Sequence, residues 1–511
     1  MSTEVVAPEV SDELHCPTVH PEVCKLVHQP EALWSRRRVL IRDILLTEDK
    51  GLSFVGKTVT VAGWTRTMRE QGGGKFAFIV LNDGSTFDNL QCVMDSEKVA
   101  NYKEVIKSGN VGVCLQIKGI LVKSPAAGQS VELHCQEVTV LGACDAKTFP
   151  LAKKRHTLEH LRDIAHLRSR TNTIAAVARV RNSCAFATHL FFQERGFKYI
   201  HTPIITGADC EGAGEMFTVT TMLDENIKDI PATKDGKIDY SKDFFGKHAK
   251  MTVSGQLNVE TYCCALSDVY TFGPTFRAEN SHSVRHLAEF WMIEPEMAFA
   301  DLTIDMEVAE DYVKFCTAYV MEHNADDLAF FEKQIEPGLH DRLKNVLESP
   351  FVRLPYTKAI EILTEAAKTV KFEVQPYWGL DLGSEHERYL TEQVFKKPVI
   401  MIDYPKEIKA FYMKLNEDGK TVRAMDILVP KIGELIGGSQ REENLELLEK
   451  RIDELKMDKN GLQWYLDLRR YGSVPHSGFG LGFERLVMFV TGMENIRDVI
   501  PFPRWPKNAS Y

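Results

Sequence analysis

The sequence contains no CxxC pair. Its 11 cysteines are scattered, several in apolar strings such as Tyr262-Cys263-Cys264-Ala265, which suits reduced core thiols and argues against a disulfide framework or structural zinc. Apolar runs such as Leu486 to Val490 fall far short of the roughly 18 to 20 residues that cross a bilayer, so no membrane span is expected. Gly and Pro, 33 and 21 of 511 residues, are too few for a low-complexity or collagen-like chain. A surplus of positive charge is also missing: 62 Lys+Arg stand against 72 Asp+Glu, a net of −10, so any contact with nucleic acid must come from local patches. There is no Walker P-loop, no GxGxxG and no internal repeat. The acidic N-terminus lacks both an apolar signal core and an Arg-rich transit pattern, which sets a cytoplasmic expectation.

What remains is an ordinary globular composition, 44% apolar and 26% charged, at a length that suggests two to four domains. Residues 1–37 hold six acids, three bases and Pro8, Pro17, Pro21 and Pro30; they read as an appended, disordered acidic tail, and their His and Cys spacing fits no common zinc pattern. Residues 38–147 carry five strand-like runs, Thr58 to Trp64, Phe76 to Leu81, Leu90 to Met94, Val111 to Val122 and Val131 to Leu141. That density predicts a small closed barrel of the OB class, which binds single-stranded nucleic acid. Residues 148–170, with Lys153, Lys154, Arg155, Arg162, Arg168 and Arg170, form a basic hinge, either a solvated helix face or a contact for phosphate. Residues 171–511 begin with a helix from Thr171 to Gly196 and a strand into Pro203, then alternate strands and helices as one mixed domain.

Three stretches carry chemistry. In Thr271 to Phe299 two strand-like runs flank the polar loop Asn280 to Arg285, giving a hairpin with Arg277 and Glu279 at the end of its first strand and Arg285 and His286 across the loop. A planar guanidinium there can hold phosphate and carboxylate oxygens together. In Pro475 to Phe489 the glycines 478, 480 and 482 let backbone approach a ligand, and the helix that follows carries Arg485 early, where a phosphate is favoured. Asp426 and Glu434 are hard carboxylate ligands of the type magnesium uses beside nucleotide phosphates.

Together these stretches resemble the class II aminoacyl-tRNA synthetases. Phe276-Arg-Ala-Glu279 looks like motif 2, Gly480-Leu-Gly-Phe-Glu-Arg485 like motif 3, and the helix and strand ending at Pro203 like motif 1. The preceding barrel points to the aspartyl and asparaginyl subgroup; Glu211-Gly-Ala-Gly-Glu-Met-Phe217, Ser254-Gly-Gln-Leu257 and Asp498-Val-Ile-Pro-Phe-Pro-Arg504 look asparaginyl, of the bacterial-like type. The resemblance covers residues 38–511. It implies an α+β chain: an N-terminal OB-fold barrel for the anticodon, then a catalytic domain on an antiparallel sheet flanked by helices.

It further implies activation of asparagine with ATP and magnesium, transfer to the 3′ end of tRNA-Asn, and a homodimer built through the Thr171 helix. By resemblance, Arg277, Arg485 and Glu434 are catalytic. ATP would meet Arg277, Glu279, Arg285, His286, Phe290, Glu434, Gly482 and Arg485, with Phe290 stacking on adenine. Glu211, Gln256 and Glu294 would hold the amino acid's ammonium group, and Arg441 its side-chain oxygen. Phe78 and Gln91 would read the anticodon, and Asp426 and Glu434 would bind magnesium. Aspartyl relatives carry a Lys where this chain has Val259, and Glu260 adds an acid instead, so asparagine is expected over aspartate. The alternatives are an aspartyl or non-discriminating enzyme, and a non-catalytic RNA-binding relative; intact Arg277, Glu279, Glu434 and Arg485 argue against the latter.

Overall fold

The computed structural model describes residues 38–151, 156–208, 216–223 and 227–511. The acidic tail, residues 152–155 of the basic hinge and Glu211 lie outside the described residues. The chain divides into two compact units, Met1–Lys154 and Arg155–Tyr511.

In the first unit five strands close into a barrel: β1 (Thr58–Gln71), β2 (Phe76–Asn82), β3 (Leu90–Asp95), β4 (Cys114–Lys123) and β5 (Val131–Gly142), in the order β1-β2-β3-β5-β4. Alternation sends Ala77, Ile79, Leu81, Cys92, Met94, Leu115, Ile117 and Leu133 into a sealed core. β1 runs seven residues past the Trp64 at which the apolar pattern ends. Its extension is polar and pairs with β2 across a bulge between Thr65 and Thr67. Gly72, Gly73 and Gly74 make the return with φ of 62°, 69° and 87°, a run that only glycine adopts without strain.

The second unit is built on an eight-stranded sheet in the order β12-β13-β14-β15-β16-β11-β10-β6. Its strands are β6 (Lys198–Tyr199), β10 (Asp268–Phe276), β11 (Glu289–Ala298), β12 (Val352–Pro355), β13 (Val399–Pro405), β14 (Thr421–Val429), β15 (Gly433–Gln440) and β16 (His476–Gly482). All neighbours are antiparallel except the two outermost pairs. Three short strands, β7 (Ile205–Thr206), β8 (Thr218–Val219) and β9 (Ala249–Met251), form a separate small sheet. The helices that place the site are α1 (Asn172–Glu194), α2 (Gln256–Leu266), α3 (Leu302–His323), α4 (Gln463–Arg470) and α5 (Phe483–Thr491).

α1 and α3 pack together through Phe191, Phe192 and Tyr312, with a hydrogen bond of 2.7 Å between the Thr188 and Tyr312 hydroxyls. Tyr312 also stacks on Phe479 of β16. Side chains alternate along β16, so α3 covers the Phe479 side, and Gly478 and Gly480 face the opposite way, toward the site. The apolar face of α1, on which the dimer expectation rested, is thus spent inside the chain: Ile174, Val177, Val180, Cys184 and Phe191 are buried in it. On α1 and in the segment just after it, the exposed large apolar groups among the described residues are Phe186, Tyr199, Ile204 and Ile205. The glycine-spaced segment ahead of Arg485 is strand β16. Arg277 and Glu279 lie just past the end of β10 in the connection, which leaves Glu279 exposed and Arg277 partly buried.

Candidate functional site

Gly478, Gly480 and Gly437 form the floor. Opposite strands come so close at Gly478 that a Cβ there would lie 2.2 Å from the Pro295 carbonyl oxygen and 2.5 Å from Glu296 Cδ. The missing side chains leave space over β11, β16 and β15, and charged groups ring it.

On one side stand cations and carboxylates suited to a triphosphate. The Arg485 guanidinium, in the first turn of α5, donates to a Glu434 carboxylate oxygen at 3.0 Å and to its carbonyl at 2.9 Å. Lys409 donates to Asp426 at 2.6 Å. The Arg277 guanidinium sits 5.4 Å from the centre of the Phe290 ring. Arg285 donates to the Ser384 hydroxyl, while burial together with Arg485 and Arg388 disfavours its charge. His286 shares a hydrogen bond with Ser283; burial, with Arg485 and Arg277 nearby, lowers its proton affinity. Gly482 ends β16 and is the N-cap residue of α5.

Asp426 and Glu434 fit a divalent cation. They converge over Gly437, where a Cβ would lie 3.2 Å from Glu434 Oε1 and 3.3 Å from Asp426 Oδ1, so two carboxylate oxygens face one small gap. A third carboxylate, which sequence reasoning missed, stands behind them. Glu387 accepts the Glu434 N–H at 3.0 Å, and burial followed by the Glu434 charge pushes it up to about 8. Three acids crowd together here, an arrangement a bound cation relieves. No sequence spacing marked Glu387, because it arrives from the short helix Ser384–Arg388.

On the other side is a cluster of buried polar side chains. Glu294 accepts hydrogen bonds from the Ser254 hydroxyl and from the Gly255 N–H at 2.9 Å, tying the turn before α2 to β11. Arg441, 2% exposed, donates its Nε to Glu296 at 3.1 Å and Nη1 to the Ser439 hydroxyl at 2.7 Å. Burial, against the pull of Arg441, raises Glu296 to about 7, and Glu260 adds to the rise. Glu296 was missed, although it is two residues beyond Glu294 and a strand's period of two puts both on one face.

Gln256 opens α2 and Glu260 lies one turn on, below the same face. Glu260 accepts from Gln256 Nε2 at 3.0 Å, from the Tyr465 hydroxyl at 2.9 Å and from Arg469 Nη2 at 3.1 Å, and it pairs with His476 Nε2 at 2.7 Å. Burial drives Glu260 up, but Arg469 and His476 outweigh it and hold the carboxyl at about 2. The charge of Glu260 is therefore answered by Arg469 and His476 and does not stand open beside the pocket. Val259, the position of the missing cation, packs in an apolar cluster with Cys263 and Val269; a lysine there would disturb the core before it reached a ligand.

In the barrel, Phe78 and Gln91 point away from the core. β2 and β3 pair Phe78 with Val93 and Val80 with Gln91, so the two lie diagonally on one outer face. Arg69 stands opposite Phe78, and His134 opposite Val93, extending the stripe with two further exposed groups. Gln91 donates to Glu132 at 3.3 Å.

The comparisons agree with this division. Residues 158–506 match the model of the class II tRNA synthetases (D, K and N), and residues 59–141 match the OB-fold nucleic acid binding domain. An asparagine--tRNA ligase of Treponema denticola is 57% identical over 479 residues, 92% of this chain and 99% of its own. A chloroplastic/mitochondrial asparagine--tRNA ligase of Arabidopsis thaliana is 57% identical over 486 residues, 93% of this chain and 84% of its own. Among solved structures, the asparaginyl-tRNA synthetase of Pyrococcus horikoshii complexed with asparaginyl-adenylate superposes with a TM-score of 0.79 at 34% identity, covering 92% of this chain and 99% of that one.

Proposed function

The chain belongs to the class II tRNA synthetases of the D, K and N group, and from that premise we propose that it is an asparagine--tRNA ligase. It activates asparagine with ATP to asparaginyl-adenylate and pyrophosphate, then transfers the asparaginyl group to the 3′ end of tRNA-Asn. The observation that carries the reading is the 57% identity to asparagine--tRNA ligases across the barrel and the catalytic domain together.

In activation an asparagine carboxylate oxygen attacks the α-phosphorus and pyrophosphate leaves. Arg277 donates to the α-phosphate and to the attacking carboxylate, holding the reactants in line and offsetting the charge that builds between them. Phe290 and Glu279 hold adenine; Arg285, His286 and Arg485 hold the outer phosphates, with the Gly482 backbone close by. Asp426 and Glu434 are the residues that would hold magnesium, which neutralises phosphate charge when bound. Glu211, Gln256 and Glu294 take the ammonium group. Because Gln256 donates an Nε2 hydrogen to Glu260, the amide is oriented and its carbonyl oxygen is the atom that can accept from an ammonium.

Arg441 donates to the side-chain carbonyl of asparagine. Glu296 lies against Arg441 at that end of the pocket, and a neutral amide adds no charge beside it. The carboxylate of aspartate would bring a further buried negative charge, at a cost of several kcal/mol. Phe78 and Gln91 engage the anticodon, the ring by stacking on an unpaired base. The apolar groups Phe186, Tyr199, Ile204 and Ile205, exposed on and after α1, supply the face of a homodimer, and the enzyme works in the cytoplasm.

The test is ATP–pyrophosphate exchange without tRNA, assayed with asparagine and with aspartate, in magnesium and in EDTA. We expect exchange with asparagine and magnesium alone. Equal exchange with aspartate would favour the non-discriminating alternative, and no exchange with any amino acid would leave only an RNA-binding role.

A further inference from the structure

Arg285 also lines a cavity of about 500 Å³ whose other residues have no part in the reading above. Its walls come from the loop that ends at Arg285, from Arg342 on the helix Leu339–Glu348, from Arg388, and from Lys431 in the turn between β14 and β15, with Met488 of α5 between them. The loop side is fixed in place, because the Val284 carbonyl accepts the Ile496 N–H at 2.9 Å.

The lining is unbalanced in charge: Arg285, Arg342, Arg388 and Lys431 against Glu336 and Glu494. Arg342 and Glu336 answer each other, through Nε at 2.9 Å and Nη2 at 2.6 Å. That leaves three cations facing one acid. From outside the lining, Glu392 organises two of them: its Oε1 accepts the Arg388 Nε–H at 3.0 Å and the Lys431 backbone N–H at 2.8 Å. The Lys431 ammonium itself makes no hydrogen bond or ion pair among the described residues. Arg285 has a neutral partner, the Ser384 hydroxyl; burial disfavours its charge, and against the pull of Glu387 so do Arg485 and Arg388. An anion shared by these groups would relieve all of them.

The backbone gives a second sign. Lys431 has a φ of 72°, in the left-handed region that glycine and asparagine tolerate and a long side chain rarely enters. Strain of this kind persists where function needs the residue. What the cations serve follows from the order of events. When the bond between the α- and β-phosphates breaks, asparaginyl-adenylate still occupies the adenine side at Phe290 and the amino-acid side at Glu294 and Arg441. Pyrophosphate is the polyanion that must leave past them, and Arg285, which holds the outer phosphates, is shared by the reaction space and this cavity.

We propose that Arg285, Arg388 and Lys431 form an exit site for pyrophosphate, which passes from the magnesium carboxylates to Arg285 and then into the cavity beside Arg388 and Lys431. The inference rests on the activation reading above. ATP, anchored through its α-phosphate at Arg277, does not make this shift; pyrophosphate, once cut free, does.

The experiment compares wild type with Lys431→Asn, Lys431→Arg and Arg388→Gln. Asparagine suits a positive φ, so Lys431→Asn removes the charge without straining the turn, and its melting temperature should hold or rise. Magnesium pyrophosphate is titrated calorimetrically into enzyme loaded with a non-reactive sulfamoyl analogue of asparaginyl-adenylate. Its Kd should rise roughly 5- to 10-fold in Lys431→Asn and in Arg388→Gln, the loss of one charge-assisted contact at a partly solvated site. Lys431→Arg should stay near wild type, and the gap between wild type and Lys431→Asn should shrink as salt is added. The KM for ATP in single-turnover adenylate formation should be unchanged in all three variants. An unaltered Kd for pyrophosphate in Lys431→Asn and Arg388→Gln would overturn the proposal. So would an equal rise in the KM for ATP, which would make these residues part of the ATP site, or inorganic phosphate bound as tightly as pyrophosphate, which would make the cavity a general anion site. Absence of asparagine-dependent exchange in the wild type would strike the function itself, a separate failure.

Discussion

Replacing Glu260 by Gln removes one negative charge from the centre of a buried network without changing its size. Glu260 has no exposed surface, and its carboxylate serves Gln256, Tyr465, Arg469 and His476 at once. An amide in its place has one oxygen in exchange for two and presents an NH₂ to groups that are themselves donors, leaving Arg469 buried without a counter-charge. Breaking such a pair from one side typically costs about 3 to 5 kcal/mol. The depressed carboxyl of Glu260 points to a magnitude of the same order. Its carboxyl lies at about 2 in the fold against 4.5 when unperturbed, and at 1.36 kcal/mol for each pH unit that is about 3 kcal/mol of stability. The sign follows from a depressed acid: the contribution is complete above pH 4.5 and is lost as pH falls from there through about 2.

Urea denaturation of wild type and Glu260→Gln should therefore differ by about 3 kcal/mol at pH 7, with a gap that is constant down to about pH 5 and narrows below 4.5. The variant that remains folded at low urea should show a raised KM for asparagine in pyrophosphate exchange, because the Gln256 amide is no longer held with its oxygen toward the ligand. The KM for ATP should move little. A stability difference under about 0.5 kcal/mol at pH 7, or a gap that fails to narrow in acid, would refute the charge assignment. An unaltered KM for asparagine would refute the role of Gln256.

Arg277→Ala should lower the rate of pyrophosphate exchange on the order of 10²-fold or more, with an unchanged melting temperature, since it removes a donor aimed at charge in the transition state; a folded variant with full exchange would contradict the assignment. Phe78→Ala should weaken tRNA charging by roughly 1 to 3 kcal/mol of lost stacking and leave exchange intact, so a joint loss would show that Phe78 serves the fold of the barrel. Phe186→Asp alters a ring that is 55% exposed and should convert a dimer to a monomer in sedimentation velocity; persistence of the dimer would place its interface elsewhere.

Local chemistry was legible in the sequence alone. Alternating apolar residues around glycine and Asn-Asp-Gly turns announce five strands in the first unit, because a barrel core demands a period of two and turns demand residues tolerant of positive φ. Motif spacing likewise announces Arg277, Phe290 and Arg485, since each sits beside the strand end or helix start that presents it. The site strands β15 and β16 are less visible, because their glycines carry no apolar periodicity. What they bring together is decided by pairing across the sheet. β11, β16 and β15 align Glu296, Gly478 and Ser439 in one row, residues up to 182 positions apart in the chain. Only this register reveals Glu296 as the partner of Arg441.

Glu387 behind Asp426 and Glu434, and Arg469 and His476 around Glu260, were hidden for the same reason. A buried charge is stable only where another element delivers its partner, and the identity of that partner belongs to the packing of distant segments. The exposure of α1 follows the same rule. Its apolar residues are evident in the sequence, but whether they meet a second chain or the neighbouring α3 depends on where the sheet sets the two helices, and here α3 covers most of them.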